Sequence, residues 1–382
     1  MDNTNIYTVM NTSEIPYQMK MQRIDTNEEI RFFKKRLWDL WGLDNNNELF
    51  PAPNPVSIDR QHIQSLLSKE YVVSLKADGI RFLLMLTTDI EGEPVAILID
   101  RKFQMYEICI WGNRHYFTNG TIMDAELVVS ADNNMFMLLI FDCVCCSGQS
   151  LVDRKYTERM DVVTKIIKGG AELQNECNVE KLVTNEDYII AMDNSFRLIL
   201  YPKTYAPINS LKHLWKGRSN SMFYSDGVIF MPNDDPICSY THRHMFKWKY
   251  THTIDITVKK TNNADYTIFI GTPVCTLDTS KDKLVFERIK WSCRFVPNVI
   301  TMELGNEWQH IFECTCDIDW SANVLHFIPI KFRTDKDTAN GINTVLRTIN
   351  NIRENIQMPE LVNVCCGICK NDTHNIELVC DA

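Results

Sequence analysis

The segment SLKADGIRFLLML, residues 74–86, sets Lys76 into an apolar run, breaks the run with Asp78-Gly79 and resumes it with Arg81. Burying any of these charges costs free energy, so a strand that spends them at its centre is either a hairpin end or a reactive site. A lysine amine attacks an electrophile only when unprotonated, and an ordinary lysine, with a pKa of about 10.4, is almost wholly protonated at neutral pH. Lys76 as a nucleophile therefore requires cationic neighbours or desolvation. Read alone, K-x-D-G is equally the turn that ends a surface strand.

What shifts the balance is the order of its companions: DRKFQMY at 100–106, MDAEL at 123–127, FD at 141–142, SDGVIF at 225–230, KWK at 247–249 and RTDK at 333–336. Together these strongly resemble the covalent nucleotidyltransferase superfamily, which contains mRNA capping guanylyltransferases and ATP-dependent polynucleotide ligases. The R-x-D-K followed by Asn340 and a helix, and FPAPNPVSI at 50–58, resemble the capping guanylyltransferase pattern rather than the ligase one. The resemblance runs over roughly residues 50–355 and is spread across several spaced motifs, which makes it specific.

The resemblance implies a two-step reaction: Lys76 takes GMP from GTP as a lysyl-GMP phosphoramidate, and the 5′-diphosphate end of an RNA then attacks it to form the GpppN cap. It assigns Arg81 and Glu126 to the ribose, Phe141 to stacking on guanine, and Asp226, with Glu126, to a divalent metal, Mg2+ or Mn2+. Magnesium commonly takes one or two carboxylates plus phosphates and water. Lys247 and Lys249 would supply a positive field for Lys76 and the α-phosphate. Arg333 and Lys336, with Asp335 between them in the GTP site, would orient the β- and γ-phosphates, after closure of a second domain over the first. Ala125 stands where the family commonly has Gly before Glu126.

Two other readings stay open: an ATP-dependent ligase of the same superfamily, and a catalytically silent scaffold for capping factors. No H-C-x5-R loop, E-x-E-x-E strand or methyltransferase G-x-G loop accompanies the motifs. An RNA triphosphatase and a cap methyltransferase are thus the expected partners, with RNA polymerase as a further one. The run Lys212, His213, Lys216 and Arg218 reads as a solvated basic loop. Cys366-x2-Cys369-x4-His374-x5-Cys380 has one residue more than a zinc knuckle in its last gap and reads as reduced thiols.

The elements that must position these residues belong to an α+β chain of 382 residues, 45% hydrophobic and 23% charged, long enough for two cores. Thr26-Asn27-Glu28-Glu29 is a capping box opening a helix that runs to Gly42. Short β-type runs alternate with turns from Tyr71 to about residue 250, interrupted by helical stretches near 157–168 and 185–198. A second β-rich stretch at 253–332 looks like a small barrel or sandwich, and a helix follows from about Ala339.

The expected architecture is a nucleotidyltransferase domain of ATP-grasp-like antiparallel sheets with an N-terminal helical extension (1–250), an OB-fold domain with a C-terminal helix (251–357) and a tail (358–382). A net charge of −9 excludes a basic, whole-surface nucleic-acid binder but permits a local basic cleft. The fourteen cysteines show no secretory framework, and no run reaches membrane-spanning length. The expectation is a soluble intracellular protein, of nucleus or cytoplasm, including that of a virus-infected host cell, with no membrane partner.

Overall fold

The computed structural model describes residues 4–10, 16–44, 49–131, 136–167, 183–184, 189–191, 198–261, 265–270, 276–277, 284–286, 289–302, 304, 307–334 and 336–367. The chain divides into two units. The first holds Met1–Val56, His62–Trp248 and Val362–Ala382, and the second holds Ser57–Gln61 and Lys249–Leu361. No helix among the described residues is long and apolar enough to cross a membrane.

In the first unit the helix Asn27–Trp41 starts where the capping box requires: Thr26 accepts from the Glu29 amide, and Gly42 closes the far end at φ 76°. Its buried face, Phe33, Leu37, Trp38 and Trp41, covers one side of a nine-stranded sheet. That sheet runs through Met105–Ile108, Pro94–Ile99, Ile80–Thr88, Thr121–Val129 and Phe136–Cys146, with Leu198–Pro202 joined in parallel to the last. Along the Ile80–Thr88 strand, Leu83 and Met85 point to the helix, whereas Phe82, Leu84 and Leu86 enter the opposite core. Burial on both faces explains why FLLML is continuously apolar rather than alternating.

The opposite core is shared with a five-stranded sheet ordered Ala206–Pro207, Tyr71–Ala77, Ser225–Pro232, Thr241–Lys249 and Asn54–Ser57. Val72, Met231 and Met245 of that sheet lie in one buried cluster with Phe82, Leu127 and Leu138. The nine-stranded and five-stranded sheets therefore face each other.

The second unit is built on a seven-stranded sheet whose central strands are Thr253–Thr261, Trp308–Asp319 and Val324–Phe332. Its pairings are antiparallel except for Ile289–Phe295, which runs parallel to Val324–Phe332. Ile254, Ile256 and Val258 alternate into its core, joined by Phe312, Phe327 and, from the helix Ile342–Glu354, Val345 and Ile349.

Three expectations need correcting. Residues 185–198 are not a helix where described: Ile189–Ala191 pairs with Ile110–Gly112, and Leu198–Pro202 pairs with the Phe136–Cys146 strand. Cross-strand partners distant in sequence override the local helical reading there. Residues 57–61 join the second unit, because Arg60 pairs with Glu360 and the Ile58 carbonyl accepts from Asn351. The segment after 357 is not a plain tail, since Met358–Cys365 is a helix with Pro359 in its first turn, where a missing N–H costs nothing. Cys369, His374 and Cys380 lie outside the described residues.

Candidate active site

Lys76 is the penultimate residue of the Tyr71–Ala77 strand, and the Ser225–Pro232 strand runs antiparallel beside it. Ser225 pairs with Ala77 and Gly227 with Lys76, which leaves Asp226 as the extra residue of a bulge. A bulge re-aims its extra side chain, and here Asp226 Oδ1 accepts from Lys76 Nζ at 2.8 Å. Lys76 also reaches the Ala77 carbonyl at 3.4 Å.

The turn after Lys76 is held from two sides. The Asp78 amide donates to the Tyr224 carbonyl at 3.1 Å, and the Gly79 amide to Glu126 Oε1 at 3.3 Å. Glycine in such a turn is commonly explained by positive φ, but at position 79 the structure gives another reason. Gly79 is not among the positive-φ residues, and a Cβ there would sit 2.4 Å from the Leu127 carbonyl oxygen and 2.5 Å from Val128 Cγ1. Close packing against the Thr121–Val129 strand excludes any side chain.

Arg81 begins the next strand and is spent on protein contacts. It forms a two-point ion pair with buried Asp124 and donates to the Pro53 carbonyl at 2.8 Å and Asn54 Oδ1 at 3.3 Å. It thereby ties the FPAPNP segment to the strand that carries Glu126. Ala125, where a Gly was expected, is fully buried in the core, so its methyl group is accommodated.

Phe141 is also a bulge residue. Ile140 pairs with Ala125 and Asp142 with Asp124, so Phe141 has no partner opposite and turns toward the cavity. Arg81 Cζ and Lys203 Nζ each lie 5.4 Å from its ring centroid. Asp142 points away from that cavity and takes a bidentate pair from Arg159 of the helix Tyr156–Ile166, at 2.6 and 2.9 Å.

These side chains converge on one cavity. Its cationic lining is Lys76, Arg81, Arg101, Lys203 and Lys247, set against the single carboxylate of Glu126, while Phe141, Ile229, Met231 and Met245 form an apolar wall. Such a cavity selects an anion carrying a flat apolar group.

Sequence reasoning missed Arg101 and Lys203. Arg101 lies inside the quoted DRKFQMY, on a turn that Asp100 pins by accepting from the Lys102 and Gln104 amides at 2.8 Å, with Phe103 at φ 58°. Lys203 follows Pro202 in a segment with no motif, and only the fold buries it. Burial pushes its pKa down to about 8, with Lys76 adding to the shift and Glu126 opposing it.

Lys249, Arg333 and Lys336 belong to the second unit and are not among the residues lining the Lys76 cavity. Asp335 lies outside the described residues. Arg333 and Lys336 instead share one buried acceptor, Asp255: Arg333 Nη1 donates to it at 3.0 Å, Lys336 Nζ is also paired with it, and Asn340 Nδ2 lies at 3.3 Å. Arg333 additionally reaches Glu313 at 3.3 Å. Asp255→Ala should therefore cost the second unit about 3 kcal/mol, because it strips a hub of buried charge. Lys336→Ala, whose ammonium is half-exposed, should cost less than about 1 kcal/mol. Equal shifts of the two variants in urea denaturation would refute the hub.

Comparison with known proteins fits this geometry. The family model for the mRNA capping enzyme, catalytic domain, matches residues 2–251, and that for the mRNA capping enzyme, C-terminal domain, matches residues 244–362. The mRNA-capping enzyme subunit alpha of Schizosaccharomyces pombe is 25% identical over 374 residues, covering 88% of this chain and 84% of that one. Its namesake in Neurospora crassa is 25% identical over 366 residues, covering 84% and 85%. The mouse mRNA-capping enzyme is 25% identical over 317 residues, covering 79% of this chain and 47% of that one. With the catalytic-domain model spanning well over half of its length, the chain belongs to the mRNA capping enzyme family.

Proposed function

We propose that the chain is an mRNA guanylyltransferase that works through Lys76, and the observation that carries this is the Lys76–Asp226 contact at the edge of a cation-lined cavity with an aromatic wall. GTP enters with its base against Phe141 and its phosphates among the cations. Asp226, 2.8 Å from Nζ, holds the amine in line and is the nearest carboxylate to receive its proton. The amine forms a P–N bond to the α-phosphorus as the bond from α-phosphorus to the bridging oxygen breaks, and pyrophosphate leaves with that electron pair. In the second step a terminal β-phosphate oxygen of a 5′-diphosphate RNA attacks the same phosphorus as the P–N bond breaks, and Lys76 leaves as the amine, taking back the proton held by Asp226.

Asp226 and Glu126, both near enough to Lys203 to act on its charge, offer hard oxygen donors of the kind Mg2+ or Mn2+ takes alongside phosphates and water. When bound there, the ion neutralises phosphate charge. An OB-type assignment of the seven-stranded sheet is part of the same proposal, as are an RNA triphosphatase to supply the diphosphate end and a cap methyltransferase to use the product.

Guanine preference follows from Lys203. A buried ammonium beside the stacking ring donates to a 6-oxo group but has nothing to accept from a 6-amino group. Lys203→Met should lower the GTP-over-ATP preference for adduct formation about 10- to 100-fold, as expected for one charged hydrogen bond. Because the pKa of Lys203 is pushed down to about 8, the ammonium is present below that pH and lost above it. The wild-type preference should thus fall between pH 7 and 9, while that of Lys203→Met stays flat. A pH-independent wild-type ratio would remove Lys203 from base selection.

The direct test mixes the protein with Mg2+ or Mn2+ and α-labelled GTP or ATP, then denatures it. Label retained from GTP supports the proposal, label from ATP makes the chain a ligase, and no label with either metal favours the scaffold.

A further inference from the structure

From Lys203 to Ser225 the chain carries Lys203, Lys212, Lys216 and Arg218 and no Asp or Glu, in a protein whose net charge is −9. The helix Leu211–Lys216 buries Leu211 and leaves Lys212, His213 and Lys216 exposed. The following turn, Gly217–Asn220, brings the Arg218 guanidinium over the Trp215 ring at 4.2 Å, and Nη1 donates to the Trp215 carbonyl at 3.0 Å. Among the described residues no carboxylate pairs with Lys212, Lys216 or Arg218.

The helix Leu211–Lys216 packs on the Tyr71–Ala77 strand, which carries the nucleophile. Trp215 packs edge-on against Trp248 at 5.3 Å, on the face of the Thr241–Lys249 strand opposite to Lys247, which lines the cavity. Past Arg218 the chain exposes Met222 (46%) and Tyr224 (47%). The Tyr224 carbonyl then accepts from Asp78 in the turn after Lys76, and Asp226 follows two residues later. From the exposed cations the chain thus runs, past the exposed Tyr224 ring, to the turn that follows the reacting amine.

We infer that residues 211–224 form the docking surface for the first nucleotides of the acceptor RNA, an inference that rests on the guanylyltransferase reading. Within the cavity Arg101, Lys203 and Lys247 already answer the charge of the nucleotide. The second substrate is a polyanion with unpaired bases, of which only the diphosphate end can enter. Its following phosphates match Lys212, Lys216 and Arg218, and Tyr224 offers a face on which a base stacks. An acidic protein would use the cations too, but lying across residues 222–224, next to the turn after Lys76, it would stand in the way of the acceptor.

The test uses the full chain and a 20-nucleotide 5′-diphosphate RNA. The triple variant Lys212→Glu, Lys216→Glu, Arg218→Glu should form adduct from GTP at the wild-type rate and return GMP to pyrophosphate normally. Its KM for RNA should rise at least about tenfold, and the slope of log affinity against log salt should fall by about 2, at roughly 0.7 per single-strand phosphate contact. Tyr224→Ala should raise KM about fivefold or more with the slope unchanged. Unaltered KM and slope in the triple variant would overturn the inference and leave the cations to another partner, such as an acidic protein. If the wild-type chain forms no adduct, the guanylyltransferase reading fails instead. Direct binding of the same RNA then decides: weaker binding by the triple variant supports the surface, and equal binding refutes it.

Discussion

Lys76→Ala is expected to abolish label transfer from GTP, with a loss of at least about 10⁴-fold, while leaving the melting transition almost unmoved. The chemical effect is large because no other group can form the covalent bond: the neighbouring amines of Lys203 and Lys247 are held elsewhere in the cavity lining. The stability effect is small because Lys76 closes a strand rather than filling a core, and its side chain and that of Asp226 are 19% and 21% exposed. An ion pair so placed contributes no more than about 1 kcal/mol. Lys76→Arg sharpens the test. It keeps the positive charge and a donor for Asp226 but offers a guanidinium that stays protonated, so it should bind GTP and still form no adduct. Adduct in either variant, with an unchanged melt, would reassign the nucleophile.

How much of this could be read from the sequence depends on the distance over which each feature is encoded. The K-x-D-G turn, the capping box at Thr26 and the strand that carries Glu126 are local, and the structure has all three. Asp226 and Phe141 were legible as residue types, but their aim was not: each is the extra residue of a bulge, and a bulge is a property of two paired strands. Lys203 left no mark because its burial is created by the Phe141 ring and the opposing sheet. Gly79 was legible as a turn glycine, but what excludes a side chain there is the strand 121–129, which the local sequence does not show. Asp255 lies in no quoted motif, although it accepts from both cations of RTDK. Charge pairing across a fold leaves no periodic signal in one chain.

The FD pair at 141–142 divides its labour, and the buried half should dominate stability. Phe141 turns to the cavity, while Asp142 (3% exposed) meets Arg159 (2% exposed) of the helix Tyr156–Ile166. Arg159 also donates to the Arg154 carbonyl at 2.5 Å, so each of its three guanidinium nitrogens makes one hydrogen bond. Arg159→Met keeps the apolar stem but strands a buried carboxylate, which costs about 3–5 kcal/mol. At about 2–4 °C per kcal/mol for a unit of this size, the melting temperature should fall by roughly 10 °C. Asp142→Asn leaves a neutral acceptor for one Arg159 N–H but removes the countercharge, and should cost about 2 kcal/mol or more. The decisive variant is the double replacement Asp142→Leu, Arg159→Met, which removes both charges together. If the single-variant loss comes from an uncompensated charge, the double variant should recover much of it; if the pair instead holds the helix in place, it should melt no higher than Arg159→Met. Adduct formation separates the two accounts again, because Phe141 is bonded to Asp142. A stable double variant with normal adduct would mean that the bulge alone aims the ring, and a stable one with impaired adduct would mean that the buried pair sets that aim.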